Sequence, residues 1–253
     1  MAECKTPNNP VSSSNPGKYI LVVGNDATNL VYTSLLLQKL NYHVCSANTA
    51  EEAVEMANTI LPALIITDLK LSGMNAARMI QVLRLKPRTA SVPVVIKLEQ
   101  LSRDIEQKCH EIGAVSCISK PVDPEELYRV VQAAIEPTPR EHIRIQTRLS
   151  VVLNSVPLKL DAGECATMLS SRGMFIQTHK PFPRGTAFPI QVTVDKQPIT
   201  AEAKVVYSYN AGEGPLGVAG MGLYFSKISQ EDEARLQRYI SEEVTRGIVP
   251  GGG

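Results

Sequence analysis

Two groupings of side chains carry what chemistry this sequence could perform. In the first, Asp68 closes the apolar run Ala63-Leu64-Ile65-Ile66-Thr67, and Lys120 follows another, Val115-Ser116-Cys117-Ile118. A carboxylate and an ammonium at such strand ends would face each other across a shallow crevice, as a structural ion pair or as part of a chemical site. In the second, Arg144 and Arg148 stand four residues apart, ahead of Met168-Leu169-Ser170-Ser171-Arg172-Gly173, a polar turn with a glycine that runs into the apolar Met174-Phe175-Ile176. Arginine presents a planar fork of donors and stacks on rings, so a pair can clamp phosphates and cover purine faces, or simply remain solvated. Nothing else points to catalysis. There is no Ser-His-Asp set, metal-ligand cluster or phosphate-cradling glycine loop, and His43, His110, His142 and His179 are dispersed, as surface or packing residues are. An enzyme is not expected.

The elements that must position these residues fall into two unlike halves. From Tyr19 to about Ile135 short apolar runs (20–23, 43–47, 63–67, 93–96, 115–118) alternate with stretches of helical periodicity (29–40, 50–59, 75–85, 102–112, 124–135), with Ser102 and Asp123 as N-caps. Near-continuous apolar runs suit parallel strands covered on both faces, so five strand-helix pairs predict an α/β doubly wound parallel sheet of five strands, flavodoxin-like. In such a sheet the ligand site lies beyond the carboxyl ends of the strands, which brings Gly24-Asn25-Asp26, Asp68, Lys97-Leu98-Glu99 and Lys120 to one edge. Two prolines in Glu136-Pro137-Thr138-Pro139-Arg140-Glu141 end the helical pattern and mark a boundary. Beyond it the period becomes two, over 149–153, 173–178, 188–194, 201–207 and 222–225, which predicts an all-β small antiparallel barrel. Residues 230–246 return to helical spacing, a C-terminal helix with Leu236, Ile240 and Val244 on one face and Ser229 as its cap. The expected domains are a disordered leader at 1–18, a first domain at 19–136, a linker at 137–143, a second domain at 144–246 and a flexible tail at 247–253.

Composition restricts the partners. The 253 residues carry 26 Lys+Arg against 25 Asp+Glu, a formal net charge of +1, so the chain cannot grip nucleic acid or an anionic membrane through bulk positive charge. Residues 19–136 hold 11 basic and 13 acidic side chains, and 137–253 hold 13 and 11, so a modest positive bias sits on the arginine-bearing half. Aromatics at 5% with no Trp make base-stacking platforms scarce, and no helix-turn-helix or basic helix reads DNA. No apolar run approaches the roughly 20 residues of a membrane span. Five scattered cysteines (Cys4, Cys45, Cys109, Cys117, Cys165) without a CxxC pair suit free thiols in a reducing compartment, so a cytoplasmic address is expected.

From Tyr19 to Ile135 the chain resembles a response-regulator receiver domain. Ile20-Leu21-Val22-Val23-Gly24-Asn25-Asp26 resembles its first strand, Asp68-Leu69-Lys70-Leu71-Ser72-Gly73-Met74-Asn75 its phosphorylation loop, and Ser119-Lys120-Pro121-Val122 its lysine-proline turn. The resemblance implies Asp68 as phosphoacceptor and Lys120 as the lysine that senses the phosphoryl group. It also implies two acids after the first strand that hold Mg²⁺ and a Ser/Thr after the fourth. Here the acid positions are Gly24 and Asn25, leaving Asp26 as the one peripheral metal candidate, and the hydroxyl position is Leu98. A hard divalent cation wants carboxylates that Gly and Asn do not offer, so Mg²⁺ is not expected and the domain reads as a pseudo-receiver for docking or dimerisation.

From Arg144 to about Val244 the chain resembles a PilZ domain, whose RxxxR and [D/N]xSxxG elements bind cyclic di-GMP on a small barrel. The resemblance implies that Arg144 and Arg148 hold the phosphates and guanine faces, that Ser170 hydrogen-bonds the ligand, and that Gly173 lets backbone approach it. The Asp/Asn position is Met168, a departure that replaces a hydrogen-bonding group with a thioether. The expected whole is a non-enzymatic bacterial signalling effector that binds cyclic di-GMP and passes its state through a degenerate receiver to protein partners, with a homodimer through residues 102–135 as one form. The alternatives are an interaction or scaffold module in motility regulation that binds no cyclic di-GMP, and a phosphorelay response regulator phosphorylated on Asp68.

Overall fold

The computed structural model describes residues 19–213 and 217–248; the expected leader, Cys4 and most of the expected tail lie outside them. Among the described residues the chain divides into two compact units, one of 19–143 together with 241–248 and one of 144–240.

The first unit is a five-stranded parallel sheet in the order β2-β1-β3-β4-β5. Its elements are β1 (Tyr19–Val23), α1 (Ala27–Lys39), β2 (His43–Ala47), α2 (Ala50–Thr59), β3 (Leu64–Asp68), α3 (Ala76–Arg84), β4 (Val94–Leu98), α4 (Arg103–Glu111), β5 (Ser116–Ser119) and α5 (Pro124–Ile135). β1, β3 and β4 are buried at every position, which is why their sequences read as unbroken apolar runs. Leu21, Val23, Ile65, Val94, Ile96 and Leu98 form one core with the small face of α2 (Ala50, Ala53, Ala57) and with Met79, Ile80 and Leu83 of α3. Each helix starts where a side chain can satisfy a free backbone N–H: Asp26, Thr49, Asn75, Ser102 and Asp123 all cap in this way. α1 therefore begins two residues earlier than the expected 29, because Asp26 turns back to accept from Thr28 N and Asn29 N.

The second unit is an eight-stranded antiparallel sheet in the order β6-β9-β10-β13-β12-β11-β7-β8, followed by α6 (Gln230–Thr245). The strands are β6 (Ile145–Leu149), β7 (Val151–Leu153), β8 (Val156–Pro157), β9 (Cys165–Ser170), β10 (Gly173–Gln177), β11 (Ala187–Val194), β12 (Gln197–Tyr209) and β13 (Gly220–Ile228). Only Ser150 separates β6 from β7, yet β6 ends the sheet order and β7 stands one strand from its other end, so the sheet must curl to bring these ends together, as a small barrel does. Two-residue turns at Asn154-Ser155 and Asp195-Lys196, all with positive φ, close the β7–β8 and β11–β12 hairpins. Along β11 buried Phe188, Ile190, Val192 and Val194 alternate with more exposed residues, the period-two pattern of a half-buried strand. In α6 Leu236, Ile240 and Val244 are buried, and Ser229 Oγ accepts from Asp232 N at 3.0 Å.

Two expectations for this half need correction. The single strand expected at 149–153 is two strands broken at Ser150, and Arg148 lies within the first of them. The expected turn from Met168 shrinks to Ser171-Arg172, because Cys165–Ser170 form β9, whose burial runs in pairs and gives no clean alternation.

Candidate functional site

At the carboxyl edge of the parallel sheet the structure brings Asp68 and Lys120 together. Asp68, the last residue of β3, is 3% exposed, and its Oδ1 lies 3.0 Å from Lys120 Nζ, which also reaches Glu99 Oε1 at 3.0 Å. Burial alone would lower the Lys120 pKa, but hydrogen bonds and attraction from Asp68 and Glu99 outweigh it and hold the ammonium above its ordinary value.

A second cation, Lys97, shares this carboxylate. β3 and β4 pair in parallel with Asp68 opposite Lys97, and Lys97 Nζ lies 3.5 Å from Asp68 Oδ1 and 3.4 Å from Thr33 Oγ1 of α1. Its side chain is wholly buried, and that burial pulls its pKa below the ordinary lysine value against the opposing pull of Asp68.

The flanking positions complete the picture. Gly24 follows β1, and a Cβ there would lie 2.7 Å from Asp68 Oδ2, so the carboxylate fills the space a side chain at 24 would need. Asn25 donates from Nδ2 to Ser72 Oγ at 3.2 Å. The Asp26 carboxylate is engaged as the cap of α1, accepting from both the backbone and the side chain of Asn29, and these bonds hold its pKa below the usual carboxylate value. Leu98 is buried in the core against α2 and α3 and offers no hydroxyl. A divalent cation in a receiver pocket would need several free carboxylate oxygens. Asp68 Oδ1 already lies between two ammoniums and Asp26 is spent on its helix, which leaves Asp68 Oδ2 beside Gly24 and Asn25 without the acid pair a divalent cation needs, so these residues do not fit Mg²⁺.

The second grouping lies on the curved sheet. Arg144 immediately precedes β6 and Arg148 lies within it; both are exposed, and among the described residues neither has an ion-pair or hydrogen-bond partner for its side chain. β6 runs antiparallel to β9 with Ile145 opposite Leu169 and Gln146 opposite Met168. A bulge then follows, because Thr147 and Arg148 stand against Thr167 alone before Leu149 meets Ala166. Such a bulge bends the strand and re-aims its side chains, here Arg148. Met168 in turn faces Phe175 of β10, so Gln146, Met168 and Phe175 line the outer face in register beside the arginines.

Ser170 and Gly173 serve the hairpin between β9 and β10. Ser170 Oγ donates to Gly173 O at 3.0 Å and is buried, leaving its lone pairs as what it can still offer. Glycine at 173 has a reason within the protein itself: a Cβ there would run into the carbonyl oxygen of Leu223 on β13. Arg172 is ion-paired with Glu233 of α6 at 3.1 Å and is not a free cation.

Two features escape a reading of the sequence. Lys97 sits inside an apolar run and looks like a strand-end residue until the pairing of β3 with β4 is known. Phe175, Tyr207 and Tyr209 form an outer aromatic cluster, with the Phe175 and Tyr207 rings stacked at 6.3 Å across Gly222 of β13, against which both strands register. The signal for it is Gly220-Met221-Gly222, whose missing side chains leave room for rings from the neighbouring strands.

Comparison with known proteins agrees with this division. The response regulator receiver domain family model matches residues 20–132, and the PilZ domain family model matches residues 138–242. Protein PilH of Pseudomonas aeruginosa is 24% identical over 116 residues, covering 46% of this chain and 96% of its own. The DNA-binding dual master transcriptional regulator RpaA of Synechocystis is 31% identical over 143 residues, 56% of this chain; the chain spans only 58% of RpaA. Among solved structures, the chemotaxis response regulator CheY4 of Vibrio cholerae is 23% identical with a TM-score of 0.45, covering 47% of this chain and 99% of its own. The NtrX receiver domain of Brucella abortus is 21% identical with a TM-score of 0.44, covering 47% and 99%. Both are families of signalling domains, not of catalysts. The chain is a signalling protein that carries a response regulator receiver domain followed by a PilZ domain.

Proposed function

We propose that this chain is a non-enzymatic effector that binds cyclic di-GMP on its PilZ domain and passes the bound state to protein partners through a degenerate receiver, in the cytoplasm. The observation that carries the reading is the pair of exposed arginines, without side-chain partners among the described residues, that flank the Gln146–Met168 pair of β6 and β9: Arg144 one residue before the Ile145–Leu169 pair and Arg148 in the bulge that follows. Two guanidinium forks on one rim suit the two phosphates of a cyclic dinucleotide, and their planes can cover a guanine face. The Phe175 ring beside Met168 adds an apolar face on which a base can rest. The short 137–143 connector leaves few residues between Arg144 and α5, so order imposed at Arg144 would reach the receiver with little slack.

Met168 lowers the affinity this site can reach. A carboxylate or amide there would accept from the guanine edge, and a thioether leaves that edge unsatisfied at a cost of about 1–3 kcal/mol, a tenfold to hundredfold loss. The same residue favours a second reading, in which both domains serve as docking surfaces in a signalling or motility complex, as a homodimer or with other proteins, without the nucleotide. Calorimetric titration with cyclic di-GMP separates the two: heat that depends on Arg144 and Arg148 supports the effector, and none at high micromolar ligand leaves the docking module. No step of either reading uses nucleic acid.

A further inference from the structure

Lys97 is not explained by the Asp68–Lys120 pair or by either motif. It lies in β4, a central strand buried on both faces, with a side chain of 0% exposure. An ammonium so placed is costly unless its charge is matched, and the matching charge is Asp68, its register partner, 3.5 Å away. Lys97 and Lys120 flank Oδ1 of that carboxylate, and Oδ2 fills the space that a side chain at Gly24 would need. Two ammoniums on one carboxylate repel a further cation, while Gly24 and Asn25 leave no acid pair to attract one. Asp68 and the exposed Glu99 lie against the two lysines, and the Asp26 carboxylate, engaged as the cap of α1, adds to the negative field they feel.

We infer that Lys97 is a built-in counter-cation: from within β4 it permanently supplies Asp68 with the positive charge that a divalent metal would otherwise bring, and so holds this end of the sheet in one state, insensitive to metal and to phosphoryl donors. The inference rests on the reading of the receiver as degenerate and says what replaces the missing chemistry. It also accounts for a lysine in a strand whose other residues are Val, Ile and Leu.

The test is a double-mutant cycle on the full chain, with urea unfolding of wild type, Lys97→Met, Asp68→Asn and the double variant. Thermal midpoints are followed in parallel with millimolar Mg²⁺, alone and with beryllofluoride. The expected result is a coupling between positions 68 and 97 of roughly tenfold or more in the folding equilibrium constant, with a wild-type midpoint that neither addition moves. Additive substitutions in a metal-blind protein would overturn the role of Lys97 and leave the degenerate receiver standing. A wild-type midpoint raised by Mg²⁺ or by beryllofluoride would overturn both. Lys97→Gln, which keeps a donor for Thr33 Oγ1, replaces Lys97→Met in the cycle if the latter folds too poorly to measure.

Discussion

Asp68 and Lys97 are partners in register on the adjacent central strands β3 and β4, and their charged ends lie 3.5 Å apart beneath the edge where Lys120 closes on the same oxygen. A receiver aspartate attacks phosphorus with a carboxylate oxygen, and the charge that develops on the phosphoryl group needs a metal beside it. Here that oxygen is held between two lysines, the two positions that would bring metal-binding acids are Gly24 and Asn25, and Asp26 is engaged as a helix cap.

Incubation with acetyl phosphate and Mg²⁺ is therefore expected to leave the protein's mass unchanged. Intact-mass spectrometry checks this, and a phosphoryl increment that disappears in Asp68→Asn would restore the phosphorelay alternative.

Gly173→Ala is expected to lower stability by about 2 kcal/mol or more, because its methyl meets the Leu223 carbonyl within a paired ladder and one strand must move. Urea denaturation measures the loss. An unchanged midpoint would show that β10 and β13 do not approach as closely as described.

The cap of α1 gives a pH dependence with a definite sign. Hydrogen bonds from Asn29 hold the folded pKa of Asp26 below its ordinary value of 3.8, so the folded state binds this proton less tightly than the unfolded one. The charge-dependent part of this stability is fully present above that ordinary value and is lost as pH falls through the lower folded pKa. Asp26→Asn keeps a capping oxygen without the charge, so thermal scans should find it less stable than wild type at neutral pH and the gap closing as the pH falls below 3.8. A gap independent of pH would contradict the assignment.

The receiver half was legible because its physics is local. Strands covered on both faces leave continuous apolar runs, and Ser102 and Asp123 announce their helices through the N–H groups they satisfy. The second half was legible where one face of a strand is wet, as in β11, and illegible where burial does not alternate residue by residue, as in Cys165–Ser170, or where a bulge breaks the alternation, as at Thr147-Arg148. The candidate residues Asp68, Lys120, Arg144 and Arg148 stand out by type and spacing. Lys97 does not, since its role depends on which residue of β3 it faces, and strand register between segments almost thirty residues apart is not written in either one. Gly173 shows the reverse problem: the motif draws attention to the residue, while Leu223, fifty positions on, sets the reason for it.

Restoring the carboxylate is expected to strengthen the nucleotide site. Met168→Asp places an acceptor on the outer face of β9 opposite Gln146 and Phe175, and its affinity for cyclic di-GMP should rise tenfold or more over wild type by calorimetry. No gain, in a variant that folds normally, would place the guanine edge elsewhere.

The most direct measurement is titration of cyclic di-GMP into wild type and into an Arg144→Ala, Arg148→Ala double variant. Measurable heat from the wild type, with affinity at least a hundredfold weaker in the double variant, is the predicted result. Equal binding by both proteins would contradict a site built on the two arginines, and no binding by wild type at high micromolar ligand would contradict the effector itself.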